Sequence, residues 1–95
     1  MKISKSKFTE SINDVLVTYD THYYQYIITS EAATTISLIR ITLESLGYSI
    51  KPDRDWKVVR GPESSLYEIS VSGTIDDRDT LVREIRSLGL NVILS

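Results

Sequence analysis

Residues 39–50 and 81–92 of this chain share one register, and that internal repeat limits the fold more than any other feature of the sequence. At a constant offset of 42 residues, Ile39, Leu43, Leu46, Gly47 and Ile50 match Leu81, Ile85, Leu88, Gly89 and Val92, and Ser45 matches Ser87. Apolar residues at spacings of four and three line one helix face, glycine takes the left-handed conformation just past a helix end, and the apolar run that follows restarts as a strand. Each copy therefore predicts a helix, a glycine stop and a strand. The repeat argues for an α+β fold and says nothing of a chemistry.

A chain of 95 residues suits a single domain, one able to bury roughly 60 to 65% of its unfolded surface and so to fold without staples. The absence of cysteine removes disulfides, Fe–S clusters and thiolate zinc sites. No apolar run approaches the ~20 residues that span a bilayer, and Met1-Lys2-Ile3-Ser4-Lys5-Ser6-Lys7 lacks the apolar middle of a signal peptide, so the expectation is a cytoplasmic protein away from membranes. Net charge is -2, with Lys and Arg scattered beyond the first seven residues. A nucleic-acid role would need a local basic patch.

Residues 1–7 read as a flexible basic tail. Residues 8–20 fit two periods: Phe8, Ile12, Val15, Leu16 and Tyr19 share a helical face, whereas Val15-Leu16-Val17-Thr18-Tyr19 has strand composition. The reading leans to a helix there. After the break Asp20-Thr21-His22, Tyr23 to Thr29 predicts a strand, with Tyr24, Tyr26 and Ile28 on one face and Tyr23, Gln25, Ile27 and Thr29 on the other. Thr29 or Ser30 is placed to cap a helix over Glu31 to Leu46, with Glu31 at its positive end.

That helix carries the core stripe Ala32, Ile36, Ile39, Leu43 and Leu46. It also carries a second stripe, Thr34, Leu38, Ile41 and Ser45, which a helix with its back to water does not need. Either the segment 8–19 or another protein chain is expected to cover Leu38 and Ile41. Downstream, Pro52 interrupts an extended piece and Lys51 to Asp55 form a loop. Trp56 to Arg60 and Ser65 to Gly73 then make a hairpin about Gly61-Pro62-Glu63-Ser64, with Tyr67, Ile69 and Val71 as the apolar face. A second helix over Asp77 to Leu88, led by Asp76, Asp77 and Asp79, is apolar on one side only. Asn91 to Leu94 is the last strand.

In order, residues 21–95 read strand, helix, strand, strand, helix, strand. This predicts an α+β ferredoxin-like βαββαβ sandwich, a four-stranded antiparallel sheet with two helices on one face, preceded by an extra N-terminal element. Right-handed crossovers then pair Tyr23–Thr29 with Ser65–Gly73 at the centre of the sheet. The plan is similar to that of ACT-type regulatory domains, which implies a small-molecule site where two copies meet. Thr29-Ser30-Glu31-Ala32 lacks the glycine of their first strand-to-helix loop.

Catalytic constellations do not emerge. RNA-recognition domains share the plan but stack bases on aromatics of the open sheet face, and here Tyr67, Ile69 and Val71 point to the helix side; no stretch fits the K/R-G-F/Y-G/A-F-V-x-F/Y pattern. An acylphosphatase-like anion loop needs glycine and arginine where Thr29-Ser30-Glu31-Ala32-Ala33 stands. Asp53 with Asp55, and Asp76-Asp77 with Asp79, lack the spacing and distal glutamate of a calcium hand. His22 beside Asp20 has no nucleophile near it in sequence.

Trp56, Arg60 and Tyr23 suit contact rather than reaction, because Trp, Tyr and Arg join large area to a polar handle. The expectation is a non-enzymatic interaction module with no cofactor, metal or catalytic residues, acting on a protein partner or its own copy as a homo-oligomer. It would dock through Leu38 and Ile41, or through the Trp56 and Arg60 hairpin with Tyr23. The alternative is an ACT-like regulatory domain, and nucleic-acid binding ranks below both.

Overall fold

The computed structural model describes residues 13–50 and 67–95. Their element order is β1 (Asp14–Asp20), β2 (Gln25–Ser30), α1 (Ala33–Ser45), β3 (Tyr67–Ser72), a 3₁₀ turn (Ile75–Asp77), α2 (Arg78–Arg86) and β4 (Asn91–Leu94). The domain is α+β, with a four-stranded mixed sheet in the order β3-β2-β1-β4. The predicted strand Trp56 to Arg60, its turn and the basic tail lie outside the described residues.

Of the N-terminal segment expected to lean helical, residues 8–12 lie outside the described residues and Asp14–Asp20 is strand β1. Val15 and Val17 are buried on one side while Leu16 and Thr18 alternate to the other, so the period of two prevails over that of 3.6. Cross-strand partners decide it. Leu16 lies opposite Thr29 and Val17 opposite Ile28 in the antiparallel pair with β2, and Val15 lies beside Val92 in the parallel pair with β4.

The ferredoxin-like arrangement expected from the sequence is therefore not the one this sheet displays. β2 does pair with β3, as Gln25 with Ser72 through Ser30 with Tyr67. On its other side β2 pairs with β1, and β4 joins beyond β1 in parallel, where an all-antiparallel sheet was expected. The reason is local: β1 and β2 are joined by a turn of residues 21–24, and closing so short a loop costs far less entropy than bringing β4 in from the C-terminus. β4 takes the edge that remains. There Asn91 N donates to the Asn13 carbonyl, Asn91 Nδ2 to Asp14 Oδ1, and the Thr18 and Ser95 hydroxyls meet at 2.6 Å.

One face of the sheet supplies Val15, Val17, Tyr26, Ile28, Ile69, Val71 and Val92 to a core completed by Ile36, Ile39 and Leu43 of α1 and Leu81, Val82 and Ile85 of α2. Both helices thus cover the same face. The repeat seen in the sequence recurs in the backbone. Leu46 N to Leu43 O and Gly47 N to Glu44 O are matched, 42 positions on, by Leu88 N to Ile85 O and Gly89 N to Arg86 O. Even the last-turn hydroxyls agree, since Ser45 donates to Thr42 O and Ser87 to Glu84 O, both at 2.7 Å. Gly47 and Gly89 take φ of +99° and +88°, the left-handed region that favours glycine.

The helix starts differ from expectation. Ser30 is still in β2, opposite Tyr67, so α1 begins at Ala33 and Glu31 lies ahead of its first turn. The Ser30 hydroxyl nevertheless accepts the Ala32 N–H at 3.1 Å. Ahead of α2, Thr74 and Asp77 form a capping box around the 3₁₀ turn, which displaces the helix start to Arg78.

Candidate functional site

Two sets of side chains stand out once the core is assigned: the outward face of α1, and one end of the sheet where tyrosines gather.

On α1, the stripe Ile36, Ile39 and Leu43 is fully buried, and this fixes how the rest of the helix faces. Thr34, Leu38, Ile41 and Ser45 are all exposed, on the side turned away from the sheet. Leu38 is 43% and Ile41 59% accessible. The helix has just two charged side chains, Arg40 and Glu44, and these pair with each other at 3.6 Å. The stripe itself carries none. α2 offers the contrast, since it shows Arg78, Asp79, Arg83 and Arg86 outward and buries its apolar residues. β1 lies within the sheet, so the strand does not cover Leu38 and Ile41.

At the other location, the β1–β2 turn places Tyr23 and Tyr24 outward at 71% and 66% accessibility, with Tyr24 at a φ of 53°. Asp20 organises this turn, accepting the backbone N–H of His22 at 2.9 Å and the side-chain amide of Gln25 at 3.3 Å. Its carboxylate thus holds the backbone beside His22, while the imidazole ring lies 5.9 Å from that of Tyr23. No acid–base pair is formed there.

Behind the turn, Tyr19 and Tyr26 are cross-strand partners whose rings meet at 4.7 Å. Their hydroxyls donate to successive carbonyls of the β3–α2 connection, Tyr19 to Gly73 at 3.1 Å and Tyr26 to Thr74. Asp77 completes the joint by accepting the Thr74 N–H at 3.0 Å. Burial, and then the Asp77 carboxylate, push the Tyr26 phenol up to about 12. Tyr19 and Tyr48 are raised from 10.0 by the same first cause, with Tyr24 next for Tyr19 and Asp77 next for Tyr48. Tyrosines held protonated while donating to backbone carbonyls clamp a structure together; they are not poised to take a proton. Sequence reasoning missed this clamp because its partners lie 54 and 48 positions apart.

The sheet face away from the helices carries Leu16, Ile27 and Ile93 among Asp14, Thr18, Asp20, Gln25, Thr29, Glu68 and Ser70. Among the described residues it has carboxylates but no aromatic or basic side chain, the reverse of a base-stacking platform. Thr29 Oγ1 is buried on this face without a hydrogen-bond partner. Among the described residues, no group of three or more His, Asp or Glu side chains is placed to hold a metal ion. No described helix is long and apolar enough to cross a membrane.

Of the residues singled out from sequence, Leu38 and Ile41 come together on α1, Tyr23 stands apart in the β1–β2 turn, and Trp56 and Arg60 lie outside the described residues. No protein-family model, curated protein or solved structure matches this chain.

Proposed function

We propose that this chain is a non-catalytic interaction module that makes a protein–protein contact through the outward face of α1. One observation supports the reading above the rest: Leu38 and Ile41 stand exposed on a stripe without charge, on a helix whose opposite stripe already supplies the core. Covering their accessible halves stabilises a complex by about 1 kcal/mol each, so truncating both weakens binding roughly 30-fold. Tyr23 in the β1–β2 turn is a second, smaller contact in the same reading. In fold terms, β2, α1, β3, α2 and β4 follow a split βαβ plan of the ferredoxin-like kind into which β1 has been spliced between the first and last strands.

The test is the paired substitution Leu38→Lys with Ile41→Lys. Both positions are accessible, so the variant keeps the circular dichroism and melting temperature of the parent while its protein contact, followed by chemical cross-linking in the source cells, disappears. A cross-linked product of unchanged yield from the folded variant overturns the reading.

A further inference from the structure

The outward stripe of α1 has an internal symmetry about the midpoint between Leu38 and Ile41. Leu38 and Ile41 are equidistant from the midpoint of the stripe, and so are Thr34 and Ser45. Ser37 and Thr42, which flank the stripe, are equidistant from the same point. Read in either direction along the helix, the face presents a small hydroxyl residue, a branched aliphatic one, another branched aliphatic one and a small hydroxyl residue, at spacings of four, three and four.

A face of that kind matches its own copy turned end for end. A two-fold axis through the midpoint sets Leu38 against Ile41 of a second copy and Ile41 against Leu38, with Thr34 beside Ser45 at each end. This is the self-complementarity that an isologous dimer interface requires. The spacing is that of helices crossing at about 20°, with knobs every three and four residues. Small Thr and Ser side chains at both ends let the backbones approach. No like charges meet, since Arg40 and Glu44 are off the stripe and paired within their own helix. The antiparallel arrangement also sets opposite helix dipole ends against each other.

We infer that the partner of this face is a second copy of the chain, docked through an antiparallel α1–α1 contact about a two-fold axis between Leu38 and Ile41. This rests on the reading of the α1 face as a docking surface and specifies its occupant. α1 has 13 residues, so it is about 20 Å long and the crossing buries well under the roughly 1,200 Å² of a standard interface. The dimer is therefore weak and reversible, forming in the micromolar to millimolar range.

Charge-complementary variants test both pairing and register. Leu38→Glu alone and Ile41→Lys alone each set a lone charge against an aliphatic side chain twice per dimer, and sedimentation velocity should show each as a monomer at concentrations where the parent dimerises. Mixed in equal amounts, they meet with Glu at position 38 against Lys at position 41 across the axis and with the native Leu–Ile contact at the other crossing. The expected result is recovery of dimer in the mixture and in neither variant alone. A mixture that stays monomeric overturns the antiparallel register, and a parent that stays monomeric up to about 1 mM, the top of the range expected for so small an interface, overturns self-pairing. The wider reading fails separately, when a photo-cross-linking residue at position 41 yields no protein adduct at all; an adduct with a different protein overturns the self-pairing and leaves the docking surface standing.

Discussion

Substituting Gly73 by alanine probes the joint that locks β3 to α2. A Cβ at this position would stand 2.9 Å from Asp77 Oδ2 and 3.4 Å from Tyr26 Cε1. Tyr26 is fully buried, so its ring has nowhere to go, and the carboxylate must yield instead. That same Oδ2 accepts the Thr74 N–H at 3.0 Å and anchors the capping box. Losing such a cap costs about 1 kcal/mol, and the approach to the ring, at the edge of ordinary van der Waals contact, adds roughly a few tenths. For a domain of this size the melting temperature falls by about 4–8 °C per kcal/mol. Urea denaturation of Gly73→Ala, Asp77→Ala and the double variant isolates the cause. Asp77→Ala alone costs about 1 kcal/mol, and adding Gly73→Ala to it costs a few tenths, because the clashing atom is gone. The two losses are then markedly less than additive. Strict additivity would refute the argument that Gly73 exists to make room for the Asp77 cap.

Other consequences follow from single residues. Thr29→Val replaces a buried, unpartnered hydroxyl by a methyl of the same shape, so stability is expected to be unchanged or to rise by up to about 1 kcal/mol in chemical denaturation; a loss beyond that would mean the hydroxyl has a partner. The raised Tyr26 phenol sets a pH dependence: the unfolded chain releases this proton near 10.0 and the folded chain near about 12, so the unfolded state binds fewer protons between them. Stability is thus flat below pH 10 on this account and declines as pH rises toward 12. The decline is shallower in Tyr26→Phe, with Tyr19 and Tyr48 supplying the remainder, and an identical profile in that variant would contradict the assignment.

Much of the frame was legible because it rests on local rules. The paired glycines could be placed from the 42-residue offset, since a helix end and its left-handed residue are a matter of a few neighbouring positions. The faces of α1 and β3 were readable along their middles, because periodicity alone separates Ile36, Ile39 and Leu43 from Leu38 and Ile41, and Ile69 and Val71 from Ser70 and Ser72, but Leu46, expected on the core stripe, is the C-cap of α1 and half exposed. β1 was not readable, because five residues from Val15 to Tyr19 satisfy both periods and only the partners Ile28 and Val92 choose between them. Strand order failed for the same reason: which strand takes the free edge of β2 depends on competition between a four-residue turn and a distant C-terminal strand. The start of α1 was misplaced because pairing with Tyr67 keeps Ser30 in the sheet. Of the candidate contact residues, those on a periodic helix were found together, whereas the tyrosine clamp depends on tertiary contacts with no sequence signature.

The most direct test of the docking surface is positional. A photo-reactive amino acid is placed in turn at Ile41 on the uncharged face of α1 and at Arg83 on the exposed, charged face of α2, and the protein is irradiated in its source cells. A protein adduct at position 41 with none at position 83 is the predicted outcome. Adducts at position 83 alone, or at neither site, would contradict the claim that this chain works through the outward face of α1.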